Sequence, residues 1–506
     1  MKDEPLRPGW TRAVITASVI LATGMQMLDA TIANVALPHM QASLGATRES
    51  VTWVLTSYIV ASAVALPISG WLADRIGLRQ LFLISIAGFI AVSMLCGISN
   101  SLESMILFRA LQGAFGAFMV PLSQTVMLQI YPKERHAQAM AMWGTAVMVA
   151  PISGPILGGW LTENYTWRWV FYVNLPLGIL ALAGTWFSLP NWGKHKRRFD
   201  MFGFATLAVA LLALQAVLDR GDQLDWFESA EIVAETAVCV AAFWMFAVHL
   251  ATGRTRIFRP SLLADRNFST ALLLAFVMNS VIIAGAALLP PMLQQLFGYP
   301  TLTAGLLIAP RGGGMLLASL FVGRMAGKVD VRLMLLGGIL AVAWSLYLMT
   351  GYSLQMDERL VIVSGFIQGV GMGCAFLPLT ILAFVTLGPE LRTEASSLFN
   401  LTRNVGGSIG ISLVTSELTR SVQVSHSELA AHVTSLSLPD LARPFESLGG
   451  AGVGMLDAMI NRQALMIAYL NDYWLMMLGV LAAVPMILLV RRPSGSKIDP
   501  ELMAVD

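Results

Sequence analysis

Charge is what this chain has least of. Asp, Glu, Lys and Arg make up 12% of its 506 residues, against about 25% in soluble proteins. That excludes an ordinary soluble globular domain. A net charge of +2, with no basic tract longer than 194–198, is too small for a nucleic-acid binder. Cysteine is scarce as well. Cys96, Cys239 and Cys374 lie far apart inside apolar segments and read as small hydrophobes, not as a disulfide or metal framework. The six histidines show no ligand spacing. No Gly-x-x-x-x-Gly-Lys-Ser/Thr loop occurs, and no stretch could house a nucleotide-driven domain. The polar start of the chain, residues 1–10, reads as no cleavable signal.

Long hydrophobic runs are what the chain has instead. Hydrophobic residues make up 56% of it, and a run of about 20 is enough to span a bilayer. Fourteen spans are expected, at 13–37, 51–73, 80–98, 104–130, 137–161, 168–189, 201–218, 230–251, 267–291, 303–325, 333–351, 360–387, 394–416 and 473–490. The longest connection, 417–472, is amphipathic and reads as partly helical at the membrane surface. Basic residues set the orientation. With the N-terminus inside, 22 of the 32 Lys and Arg fall on the cytoplasmic side, seven outside and three (Arg109, Arg311, Arg403) within spans. Both termini are therefore expected in the cytoplasm.

An internal repeat organises these spans. Gly70-Trp-Leu-Ala-Asp-Arg-Ile-Gly-Leu-Arg79 after span 2 is echoed by Gly323-Arg-Met-Ala-Gly-Lys-Val-Asp-Val-Arg332 after span 10. Leu111-Gln-Gly113 in span 4 is echoed by Ile367-Gln-Gly369 in span 12. Two parallel six-helix halves with an inserted pair follow, the architecture of secondary transporters. The expected fold is an all-α integral membrane protein. Its parts are residues 1–190 as an N-terminal bundle, 191–260 as two inserted helices, and 261–506 as a C-terminal bundle carrying the outer loop 417–472.

Chemistry concentrates where charge enters the membrane. Asp29 lies deep in span 1, on a small and polar stripe with Ala22, Gln26, Ala33 and Ala36. A carboxylate there costs roughly 2.5–3.5 kcal/mol even on insertion scales, so it faces protein or water and marks function. Asp29 and Arg109 come out about 12 and 9 Å from the outer ends of their helices, close enough in depth to interact. Arginine keeps its proton. It is thus a fixed charge against which Asp29 gains or loses one as helices move. The repeat puts Gly365 where Arg109 stands, confining that charge to the N-terminal half. Residues 144–159 are dense in Gly and Pro, and Pro151, Gly154, Pro155 and Gly158 give a kinked, closely packed helix. In the short loop after span 2, Gly70, Asp74, Arg75, Gly77 and Arg79 supply a tight turn whose charged contacts can bias which face opens. Met25, Gln26, Asn34, Gln112, Asn279, Arg403 and Asn404 are assigned to the substrate cavity. One embedded acid against three embedded bases leans the substrate towards hydrophobic neutral or weakly acidic compounds, with single cations still possible.

The whole chain resembles the fourteen-span drug:proton antiporter branch of the major facilitator superfamily, and the EmrB-type multidrug efflux subgroup in particular. The resemblance rests on Leu28–Pro38, Trp53–Tyr58, Gly70–Arg79, Arg109–Gly113, Ala150–Gly159, Trp167–Gly178 and the stretch around Arg403–Gly410. It implies a proton-driven exporter working by alternating access in a bacterial inner membrane, with no cofactor beyond the proton gradient. Arg109 would belong to the proton-coupling motif and residues 150–159 to the antiporter signature. The resemblance also implies a periplasmic membrane-fusion adaptor and an outer-membrane channel as partners. Gln80 departs from the superfamily pattern, which often has a second base there. A transporter dedicated to one metabolite, exporter or importer, would use the same scaffold. An integral-membrane enzyme or sensor would need a nucleophile–base cluster in a span or a soluble output domain, and the chain has neither. A proton falling through ~100 mV yields about 2.3 kcal/mol, and each pH unit adds roughly 1.4 kcal/mol. Together they sustain a substrate gradient of several hundredfold.

Overall fold

Backbone polar groups in hydrocarbon must be satisfied within the segment, so apolar runs of this length fold as helices. The computed structural model describes residues 9–51, 53–132, 135–192, 198–253, 255–325, 329–388, 391–432 and 450–490. Fourteen long helical segments lie in them. In the first half they are α1 (Trp10–Leu44), α2 (Trp53–Ile76), α3 (Leu78–Ile98), α4 (Leu102–Ile130), α5 (His136–Asn164) and α6 (Trp169–Ser188). An inserted pair follows, α7 (Met201–Arg220) and α8 (Ala230–Thr252). Then come α9 (Arg266–Gln295), α10 (Thr301–Met325), α11 (Val331–Met349), α12 (Glu358–Val385), α13 (Arg392–His432) and α14 (Gly450–Ala482). Among the described residues, twelve helices are long and apolar enough to cross a membrane. The polar run Asn400, Thr402, Arg403 and Asn404 dilutes α13. Its place inside the bundle, against α9 and α14, explains why such a helix is tolerated.

The helices pack as two groups. Within the first, α1 lies against α5 and α6, and α4 against α2 and α3; within the second, α12 lies against α10 and α11, and α9 against α13. The groups meet where α5 packs on α10 and where α2 and α4 pack on α13. The inserted pair is peripheral, with α7 reaching α2 and α13. Asp200 ties that pair together at one end. Its carboxylate accepts from the Gly203 amide (2.9 Å), the Ile257 amide (3.1 Å) and His249 Nε2 (2.8 Å).

The expected repeat has a geometric counterpart. Gly113 of α4 sits on the backbone of Tyr58 in α2, and Gly369 of α12 sits on the backbone of Arg311 in α10. Both are so close that a Cβ would collide with the carbonyl oxygen. The register that matches Gly70 to Gly323 also matches Tyr58 to Arg311 and Asp29 to Ile282. Arg311 lies beside Gly365, the position equivalent to Arg109. The second half thus holds a guanidinium on the neighbouring helix, beside the position equivalent to Arg109.

The connection 417–472 differs from its expected form. Its described parts are continuations of α13 and α14 rather than a segment lying on the membrane surface. At 41 residues α13 is about 62 Å long, twice the hydrocarbon thickness of about 30 Å. It leaves the bundle as an antiparallel hairpin with α14, held by Asn471 Nδ2 donating to Ser421 Oγ (2.9 Å) and by His426 against Asp457 (3.0 Å).

Candidate functional site

Asp29 is fully buried and Arg109 is 1% exposed. Arg109 Nη1 donates to Asp29 Oδ2 at 2.6 Å and to Gln112 Oε1 at 2.7 Å. Asp29 Oδ1 accepts from Gln112 Nε2 (3.0 Å) and from Asn174 Nδ2 (2.7 Å). Asn174 also donates to Ser93 Oγ (3.0 Å), whose own proton goes to the Phe171 carbonyl (2.9 Å). Arg109 Nε reaches the Val54 carbonyl at 3.1 Å, and its guanidinium lies 4.3 Å over the Tyr58 ring. Cys96 Sγ reaches Gln112 Oε1 at 3.7 Å. One carboxylate thus gathers groups from α1, α2, α3, α4 and α6. The helical spacing of Arg109 and Gln112 puts both side chains on the face of α4 turned to α1. Charge compensation by arginine and two amide donors is what such burial demands.

The flank of α1 beside Asp29 is packed, not bathed in lipid. Gly154 and Gly158 of α5 sit on Thr31 and Ile32, with Gly158 so close that a Cβ would come within 2.8 Å of Ile32. α5 runs without a helix break from His136 to Asn164 through Pro151 and Pro155.

The assigned cavity residues do not converge. Met25 is 1% exposed and turned towards Ile90 and Gly178, because it shares the inward face of α1 with Asp29. Gln26 is buried, its Nε2 3.4 Å from the Tyr58 hydroxyl. Gln112 belongs to the Asp29 network. Asn34 and Asn404 are exposed. Asn279 and Arg403 do share a small cavity, lined also by Met278, Met372 and Phe376. Arg403 lies 4.5 Å over the Phe376 ring, and its contacts to Asn400 Oδ1 and Asn279 Oδ1 are long, 3.4 and 3.5 Å. Its Nε has no hydrogen-bond partner among the described residues. Arg311 donates to the Ile282 carbonyl (3.3 Å) and touches Met372 Sδ (3.6 Å) at the edge of the same cavity. Among the described residues no carboxylate forms a salt bridge with either arginine.

A second polar cluster, which the sequence reading missed, joins the two helix groups. Gln124 Oε1 of α4 accepts from Asn400 Nδ2 of α13 at 2.9 Å and from the Ser396 hydroxyl. Ser397 donates to the Leu66 carbonyl (2.7 Å) and Arg392 to the Leu128 carbonyl (3.0 Å). Gly70 packs on Glu394, 3.5 Å from its Cα to a Cβ built on the glycine. Gly77 ends α2 with φ 98°, a conformation glycine adopts freely. Arg79 hydrogen-bonds the Trp186 carbonyl and Asn191, fixing the turn to the end of α6, while Arg75 is exposed and Asp74 half-buried. All these contacts lie at the end of the bundle that holds the Gly70–Arg79 turn. That end is closed. Removing the Asn400–Gln124 bond by Asn400→Ala should weaken the closure by about 1–2 kcal/mol. Amide hydrogen exchange over 119–130 is then expected to quicken roughly tenfold, and unchanged exchange would remove the cluster from the closure.

Two helix groups related by a repeat, a buried ion pair in one and a closed contact between them define a membrane transporter, not an enzyme. The Major Facilitator Superfamily profile matches residues 19–411. The chain belongs to that superfamily and sits with its EmrB-type members. It is 37% identical over 484 residues to the multidrug export protein EmrB of Escherichia coli strain K12, covering 94% of each chain. It is 36% identical to the fatty acid resistance protein FarB of Neisseria gonorrhoeae, covering 98% of this chain and 99% of that one. The fold is shared with the proton:xylose symporter XylE at a TM-score of 0.60 and 13% identity, over 94% of this chain and 96% of XylE.

Proposed function

We propose that this chain is a proton-driven antiporter that exports hydrophobic drugs and toxic lipophilic compounds from the cytoplasm by alternating access. Asp29 and Arg109 are its proton-linked pair. The observation that carries this reading is their sealed network, in which a titratable acid faces a fixed charge across helices. A proton arriving on Asp29 Oδ2 removes the ionic half of the contact with Arg109 and frees α1 to move against α4. The Gln124–Ser396–Asn400 cluster supports a conformation shut at one end. The bias of Lys and Arg makes that end cytoplasmic, with both termini on the same side, in a bacterial inner membrane. Residues 1–190, 191–260 and 261–506 are read as the first bundle, the inserted pair and the second bundle. The relatives' names, multidrug export and fatty acid resistance, support a greasy and partly anionic substrate range. Partnership with a periplasmic adaptor and an outer-membrane channel is part of the proposal, and the projecting ends of α13 and α14 give it a surface on the outer side.

Inverted vesicles test direction. Acidifying the lumen should drive uptake of ethidium, and vesicles that take up no more than those lacking the protein would defeat the exporter reading. The guanidiniums of Arg403 and Arg311, which form no salt bridge among the described residues, lie beside an apolar cavity and favour a carboxylate-bearing substrate. Arg403→Ala is therefore expected to raise the apparent KM for a fluorescent long-chain fatty acid about tenfold, the worth of a charged hydrogen bond. Ethidium uptake should change less than twofold. Equal effects on both probes would leave Arg403 a packing residue.

A further inference from the structure

Asp472 of α14 is a second embedded carboxylate, and it is handled in the opposite way to Asp29. It is fully buried, and neither Oδ1 nor Oδ2 has a hydrogen-bond partner among the described residues. Its neighbours on both sides along α14 are pinned. Asn471 is bonded to Ser421 of α13, and the Tyr473 ring packs on Tyr352 at 5.8 Å. The titratable groups facing Asp472 are Glu417 from α13 and Tyr469 and Tyr473 from α14 itself. Arg311 of α10 is directed to the Ile282 carbonyl and to Met372 Sδ. Among the described residues no cation forms an ion pair with this acid. An ionised carboxylate sealed there without a hydrogen bond among the described residues is strongly penalised; a protonated one is not.

Its depth matches that of Asp29. About 28 Å of helix separates Asp29 from Trp10 at the start of α1. About 28 Å separates Asp472 from Leu489, through α-helix to Ala482 and 3-10 turns beyond it, where the chain leaves the bundle at the same end. The two acids lie at similar levels in opposite halves, one ion-paired and one with no ion pair among the described residues.

We propose that Asp472 is a second proton site of the transport cycle, carrying its proton while the α13–α14 contact is closed and releasing it to water when that contact opens. It rests on the antiporter reading and adds a second proton to each turn of the cycle. Asp29 operates the switch, and Asp472 is loaded and unloaded as the second half rearranges. The Asn471–Ser421 bond beside it is the contact that must break.

Proteoliposomes with the membrane potential clamped to zero give the count. Each coupled proton multiplies the limiting ethidium accumulation by about ten per pH unit. The native protein should therefore show roughly a hundredfold change per unit and Asp472→Asn roughly tenfold. Asp472→Asn should also melt no lower than the native protein, since it replaces an unpaired acid by a neutral amide of the same shape. An unchanged slope in Asp472→Asn overturns the proposal. If the native protein moves no ethidium, the exporter reading fails instead, and infrared spectroscopy of the detergent-solubilised protein decides the proton site. There, a protonated-carboxyl band should disappear with rising pH and be missing from Asp472→Asn. Identical spectra for the two proteins overturn the assignment.

Discussion

Asp29→Asn is expected to abolish ethidium accumulation driven by a pH gradient while the protein still folds and inserts. Asparagine has nearly the shape of aspartate, so the contacts to Gln112 and Asn174 can be remade by turning amides. What cannot be remade is the titrating partner of Arg109. Arginine keeps its proton at every stage and asparagine has none to release, so the pair loses its switch. Accumulation should fall at least a hundredfold, to the level of empty liposomes. Stability should fall as well, by about 3–5 kcal/mol, because Arg109 is left as a buried charge without a counter-ion. Asp29→Glu separates the two effects, since it restores charge but displaces the carboxylate by a methylene. It should recover part of the stability and a slow, still coupled transport. Asp29→Asn protein that accumulates ethidium with the native dependence on pH gradient would remove Asp29 from the proton step.

What could be read beforehand follows from what the membrane makes expensive. A charge in hydrocarbon stands out in a sequence because it needs a reason, and so Asp29 and Arg109 were legible at once. Neutral polar residues carry no such signal. Asn174, Ser93 and Tyr58 complete the ion pair, and Gln124, Ser396 and Asn400 join the two groups, yet each alone passes for ordinary packing. Their shared hint was density, since α13 holds Ser396, Ser397, Asn400, Thr402 and Asn404 within two and a half turns. Met25 turns away from the assigned cavity for a geometric reason. α1 is enclosed by α5 on one side and α6 on the other, so its polar stripe points into its own bundle rather than into the space between halves. Asp472 was hidden by a boundary. Placed at the end of a loop it is an unremarked surface acid; inside a continuous helix it is a buried one. The register of the repeat has a counterpart in the Gly113 and Gly369 contacts, while its chemistry differs, with Arg109 on α4 and Arg311 on α10.

That register makes the second large effect a paired one. Gly113→Val should destabilise the protein by more than about 4 kcal/mol, beyond the usual range for single substitutions. The new Cβ meets the Tyr58 carbonyl oxygen and backbone carbon rather than a movable side chain. Relief requires α2 to back away from α4, carrying with it the Tyr58 ring and the Val54 carbonyl that hold Arg109. Proton coupling should therefore be lost together with stability, although residue 113 touches no charge. Gly369→Val poses the same steric problem against Arg311, and it should destabilise as severely. Its functional signature should differ, because what moves is the arginine at the edge of the Arg403 cavity. Residual protein should lose fatty-acid transport while its ethidium transport keeps the native dependence on the pH gradient. Gly144→Ala is the control within the same membrane. Nothing lies within 4 Å of its added Cβ, and alanine favours a helix over glycine by about 1 kcal/mol. Thermal unfolding in detergent ranks the three. Equal melting temperatures for Gly113→Val and Gly144→Ala would mean that α2 and α4 are not in backbone contact, and the account of how Arg109 is held would fall with it.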